Sequence, residues 1–222
     1  MICRSVTKRT FAKKMNYFLT SLVALISVIN PLATVPIFVG LTGNKSQQQI
    51  RSIALRTSIN MLVILLISFF AGNYILSFFG ISLNALKITG GLIIASSGFA
   101  LLTGSIMKHK GIKEEVKQDA LTRQEVSLTP LAIPMLAGPG AISMLITYRQ
   151  QYERLTDVML LLSSVVLVSL ITFVVLLVSR IIVKNLGESG INALSRIVGF
   201  IVIAIGIEFI ISTIVALFDA VQ

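Results

Sequence analysis

The chain has 222 residues, 55% of them apolar and only 13% charged, with a mean hydropathy of +0.92. Soluble domains carry roughly 25% charged residues and lack apolar runs of about 20, so this composition excludes a soluble globular protein and indicates an all-α polytopic membrane protein. The net charge of +10 does not imply nucleic acid, because the bases lie in tails and loops beside apolar runs, where topology-setting charges belong.

Residues 1–14, MICRSVTKRTFAKK, form a basic tail without an acid. No small-residue cleavage site follows the next apolar run. Met15 opens a second, more ordinary start, MNYFLTSLVALI. The tail is therefore read as a short extension or a mis-assigned start, and no function is built on it. One cysteine, Cys3, and one histidine, His109, occur in the whole chain, so neither a disulfide framework nor a metal site is expected. No nucleotide-binding motif and no cofactor motif are present.

Hydropathy predicts six spans, at about 17–41, 53–79, 84–106, 127–147, 156–183 and 193–218. The first holds INPLATVPIF, residues 29–38. Pro31 and Pro36 each lack an N–H and clash with the carbonyl four residues back, so both are expected to interrupt the helix. Backbone groups freed by such breaks must face protein or a watery cavity, not lipid. The third span opens with NALKITGGLIIASSG and ends before KHKGIKEEVKQDALTRQE, residues 108–125, the only sustained polar segment. The fourth opens with TPLAIPMLAGPGAIS, residues 129–143. The sixth opens with NALSRIVGFIVIAIG.

The openings of the third and sixth spans match without a gap at a shift of 108, from residue 84 to residue 192. The same shift carries Pro31 onto Pro139, and Gly80 and Gly187 agree at 107. The chain thus reads as a first three-helix repeat at 15–106, a charged loop at 107–126 and a second repeat at 127–222. Three spans per half put the halves in opposite orientation, the inverted repeat of many secondary transporters, with broken helices 1 and 4 at equivalent places.

Asn30 before Pro31 and Gly138 before Pro139 suit helix restarts, an N-cap followed by proline at the first helical position. Each restart is expected to leave amides open, at Leu32, Ala33 and Thr34 and at Gly140, Ala141 and Ile142. Such a terminus attracts a carboxylate, and freed carbonyls nearby would accept from an ammonium group. Together they suit a small zwitterion. Glu208 is the one carboxylate well inside a span, which makes it the candidate for coupling, with protons as the coupling ion, or for contact with an ammonium group. Lys87 and Arg196 read as interfacial anchors. Ser96 and Ser97 are candidate cavity residues. Gly90, Gly91, Gly98, Gly199 and Gly206 read as close-packing positions.

The segments NPLATVPIF and PLAIPMLAGPGAIS resemble the two signature segments of the MarC family of inner-membrane proteins, grouped with neutral amino acid transporters of the SnatA type in the lysine-exporter-like superfamily. The resemblance covers nearly the whole chain from Met15. Many relatives have Asp-Pro-Leu-Gly-Asn where this chain has Asn30, Pro31, Leu32, Ala33 and Thr34; an acid there could take a proton, and Asn30 cannot. The resemblance implies multi-pass insertion in the inner membrane. It also implies that Asn30–Pro36 and Gly138–Ser143 hold a small neutral amino acid such as glycine or alanine.

An intramembrane enzyme would need a nucleophile with its base, or metal ligands, at membrane depth; no His, Cys or Lys lies there, and the chain is not expected to be an enzyme. A small-solute channel and a non-transporting assembly or sensor protein remain the alternatives to a transporter. For orientation, eleven Lys and Arg lie on the side of residues 40–56, 107–126 and 180–196. The other side has Lys87, Arg149 and Arg154, plus five in the tail. The positive-inside rule then expects a cytoplasmic central loop and both termini outside.

Overall fold

In a computed structural model, the description covers residues 2–104, 136–151 and 154–219, with side chains from Met15 onward apart from Glu188. The central charged loop and the first half of the expected fourth span lie outside the described residues. Within them the chain is all helix, with no strand. The helices are α1 (Ile2–Ile29), α2 (Pro31–Thr42), α3 (Gln47–Phe79), α4 (Leu83–Leu102), α5 (Pro139–Gln151), α6 (Leu155–Leu177) and α7 (Ser179–Asp219). Five stretches are long and apolar enough to cross a membrane: Met15–Thr42, Gln47–Phe79, Leu83–Leu102, Leu155–Leu177 and Ser189–Asp219. Large apolar side chains such as Ile67, Phe70, Leu170 and Phe200 point outward from them. An apolar exterior of this extent is covered by lipid, not by water.

Turn chemistry sets the boundaries. Ser46 caps α3 through a full capping box with Gln49: the Ser46 hydroxyl accepts from Gln49 N–H at 3.3 Å, and Gln49 Oε1 accepts from Ser46 N–H at 2.9 Å. The cap starts α3 at Gln47, six residues before the expected 53, because polar residues extend the helix beyond the apolar span. Gly80, at φ 64°, closes α3, and Ile81 N–H donates to Leu76 C=O at 2.9 Å. Ser82 then caps α4. The fifth span ends earlier than the expected 183, at Leu177. Helix resumes at Ser179 and turns again at Gly187, whose φ of 62° and ψ of 176° are non-helical.

Pro31 and Pro36 behave differently. The break falls at Asn30 alone, and α2 runs through Pro36 without interruption, contrary to the expectation of two breaks. Pro36 removes one hydrogen bond, to the Leu32 carbonyl. Burial of Val35 and Phe38, both 0% exposed, holds the helix around it.

The helices meet across a few backbone-close seams. α4 and α7 pack antiparallel, with backbone against backbone at their glycines. A Cβ on Gly91 would lie 2.5 Å from Gly206 O, and one on Gly98 would lie 2.7 Å from Gly199 O. These glycines are close-packing positions, as their spacing suggests. α5 runs antiparallel to α4, with Gly140 beside Ile94 and Ser143 against Gly90. Its partner α2 packs on α7 and α6. Two clasps pin the ends of these short helices. Arg180 donates to the carbonyls of Thr42, Gly43 and Lys45 at 2.9–3.1 Å, at the end of α2. At the end of α5, Gln150 Nε2 donates to Asn73 Oδ1 of α3 at 2.8 Å.

Candidate functional site: a cavity between two helix starts

α2 has 12 residues and α5 has 13, so each spans only about 18–20 Å at 1.5 Å per residue. A bilayer core is about 30 Å thick. Both helices therefore begin inside the membrane. α5 is antiparallel to α4, α4 to α7, and α7 to α2. The two half-helices thus point their N-termini at each other from opposite sides.

Between those N-termini lies a cavity of about 220 Å³. Asn30, Ala33 and Thr34 line it from the first break, and Gly138, Pro139, Gly140 and Ala141 from the second. Val28 and Ile29 come from the end of α1, Ile93, Ser97 and Leu101 from α4, and Leu136 from just before the second break. Among the described residues no charged side chain lines it.

Asn30 makes the first break. Its N–H still donates to Ile26 C=O at 2.8 Å, completing α1. Its φ of 44° and ψ of 70° then turn the chain through the left-handed region, which Asn tolerates better than most residues. The Asn30 side chain next caps α2, because Oδ1 accepts from Ala33 N–H at 3.3 Å. One residue thus ends one helix and starts the next. That hydrogen bond also fixes the amide's orientation, since an N–H requires the oxygen as its partner. Nδ2 is left inside the wall. Asn30 is 6% exposed, and Nδ2 has no hydrogen-bond partner among the described residues.

The second break is built from smaller parts. Gly138 is non-helical, α5 starts at Pro139, and Ile142 N–H donates to Gly138 C=O at 3.1 Å. Gly140 sits where a Cβ would lie 3.0 Å from Ile94 Cγ1.

The structure brings seven of the eleven expected residues to the cavity: Asn30, Ala33, Thr34, Gly138, Pro139, Gly140 and Ala141. Pro31, Leu32, Ile142 and Ser143 do not line it. Two expected open amides are spent locally, Ala33 N–H on Asn30 and Ile142 N–H on Gly138. The Ser143 hydroxyl donates to Leu86 C=O at 3.1 Å, tying α5 to α4 instead. Glu208 is exposed on the outer face of α7 and does not line the cavity. Of the two serines, Ser97 lines the cavity and Ser96 does not. The sequence did not single out Ile93 and Leu101. Their signal is helical spacing, since Ile93, Ser97 and Leu101 follow one another at intervals of four residues on one face of α4.

A membrane-spanning helical bundle with two opposed helix starts around a small polar cavity defines the class of protein. A family model described as "MarC family integral membrane protein" matches residues 15–218, and the chain belongs to that family. A UPF0056 membrane protein of Buchnera aphidicola subsp. Schizaphis graminum is 34% identical over 198 residues, 89% of this chain and 92% of the relative. A UPF0056 membrane protein of Aquifex aeolicus is 34% identical, covering 87% and 90%. The UPF0056 inner membrane protein MarC of Citrobacter koseri is 34% identical, covering 86% and 90%. No solved structure matches. The chain is a multi-pass protein of the inner membrane.

Proposed function

We propose that this protein is a secondary transporter of small neutral amino acids, glycine- or alanine-like, held in the cavity between α2 and α5. The observation that carries this reading is the unpartnered Asn30 Nδ2, 94% buried by its residue's exposure, in a wall where two helix N-termini converge. First-turn N–H groups have no intrahelical partner. Gly140 and Ala141, in the first turn of α5, line the same cavity as Asn30. A buried donor without an acceptor costs about 1–3 kcal/mol, so the site favours a ligand that brings acceptors, and a carboxylate brings the most. The last-turn carbonyls of α1, at Val28 and Ile29, offer acceptors to an ammonium group. Apart from Thr34 and Ser97 the rest of the wall is apolar, and none of it is charged among the described residues, which disfavours a charged side chain on the ligand. The volume is below the roughly 300–1,000 Å³ of sites for drug-sized ligands.

Paired contacts support an inverted repeat. Under the shift of 108, Gly91 corresponds to Gly199 and Gly98 to Gly206. Their contacts, Gly91 with Gly206 and Gly98 with Gly199, exchange under that correspondence, as a two-fold axis requires. Thr42 corresponds to Gln150, and Asn73 to Arg180 at 107. The clasps Thr42–Arg180 and Gln150–Asn73 exchange in the same way. The charge count supports a cytoplasmic central loop.

The test is counterflow of radiolabelled glycine and alanine in proteoliposomes, with and without a proton gradient. Saturable uptake competed by other small neutral amino acids is expected. Flux that rises without saturation would instead mark a channel, and no flux with no binding would end the transport reading.

A further inference from the structure

A second cavity of about 220 Å³ adjoins the first, and the two share Ala33 and Leu101 as wall residues. Its other lining residues are Pro36 of α2, Thr103 and Gly104 at the end of α4, and Ile191, Asn192, Ser195 and Arg196 of α7. Sequence alone makes Arg196 an interfacial anchor, whose charge would leave the protein for the headgroups. The structure places it in a cavity wall instead. Its Nη2 lies 4.0 Å from where a Gly104 Cβ would stand. That spot is the C-terminal end of α4, where the helix dipole favours a cation. Asn192, Ser195 and Arg196 follow at i, i+3 and i+4, so they share one helix face. Arg196 is exposed. Among the described residues it is the one charged residue lining either cavity, and no acid lines them.

We infer that this second cavity is an outer subsite, where Arg196 receives the carboxylate of a small solute before it passes between Ala33 and Leu101 to the helix starts. The inference rests on the transport reading for its substrate but not for its electrostatics. The guanidinium offers five donors in a planar fork matched to a carboxylate. The cavity beyond it holds only neutral donors. A carboxylate therefore meets a full positive charge first and partial charges afterwards. That order favours capture at the rim. Pro36 itself lines this cavity, and its missing N–H leaves the Leu32 carbonyl unpaired by the helix.

The experiment separates the subsite from the transport reading. With Cys3 replaced by Ser, a single cysteine is placed at Ser195, and in a second protein at Asn192. Each purified protein is treated with an anionic sulfonate methanethiosulfonate reagent and with a cationic trimethylammonium one. The ratio of rates is expressed relative to a free thiol in solution. A unit charge at this range should favour the anionic reagent about fivefold at low salt and less at high salt. Arg196→Gln should remove that preference, and Arg196→Lys should keep it. An unchanged ratio in Arg196→Gln overturns the subsite, and so does a cysteine that no reagent reaches at either position. In uptake of glycine, Arg196→Gln should raise KM about fivefold with a smaller change in kcat, while Arg196→Lys stays near the wild type. A wild-type protein that binds no small carboxylate solute, yet shows the thiol preference, would refute the transport reading and leave the anion-receiving cavity standing. Binding by the wild type with KM unmoved in Arg196→Gln would refute the subsite alone.

Discussion

Asn30 holds three roles in one side chain: a left-handed turn, a cap through Oδ1 and a free donor through Nδ2. Substitutions separate them. Asn30→Gly keeps the turn, loses little capping energy and removes the donor. A hydrogen bond to a charged group is worth about 1.5–3 kcal/mol, so affinity for glycine or alanine should fall about 10- to 100-fold while the unfolding temperature barely moves. Isothermal titration beside a thermal melt reads both. Asn30→Ala should bind as weakly and also melt lower, because alanine pays roughly 1–2 kcal/mol in the left-handed region. Gly140→Val places branched atoms toward Ile94, where even a Cβ would stand at 3.0 Å. It should abolish binding in a protein that still elutes as a monodisperse peak; retained affinity would remove Gly140 from the site. Glu208, exposed and lining neither cavity, should tolerate Gln with unchanged substrate affinity, measured by the same titration.

At the scale of the helix, packing between backbones decides what is tolerated. A Cβ on Gly98 would meet Gly199 O and Ile203 N, both at 2.7 Å, and backbone atoms cannot rotate away. Gly98→Ala should therefore destabilise by about 1–3 kcal/mol. Gly40, also helical, has nothing within 4 Å of its Cβ position. Gly40→Ala should stabilise by up to about 1 kcal/mol. Opposite shifts of the melting midpoint in detergent would confirm the contrast, and equal shifts would refute it. Helix ends were the least legible part of the sequence. Hydropathy locates the apolar core of α3 but not the Ser46–Gln49 box that starts it in water. It also runs the fifth span past Leu177, where the chain turns. Proline pattern located the break at Pro31 and misread Pro36. A proline opening a helix needs no partner for its missing N–H, whereas one inside a helix can be carried by buried neighbours such as Val35 and Phe38.

For the whole molecule, the two proline-led restarts were visible in the sequence because each depends on a few residue types at fixed spacing. The cavity wall from α4 was not, since which face of an apolar helix turns inward is settled by its neighbours. The place of Arg196 over Gly104 was hidden for the same reason, since only tertiary packing brings the two together. The seam of α4 on α7 has one more consequence. Carbonyl oxygens set against glycines on both helices cannot swing aside as a side chain can, which leaves little slack for sliding. The pair is then the static member of any cycle that exposes the cavity to one face of the membrane and then the other. The moving members would be the half-helices, with α3 and α6, which also pack on them, and their ends are held by Arg180 and Gln150. A disulfide joining α4 to α7 should leave turnover intact. One joining α2 to α5 should trap the solute on one side.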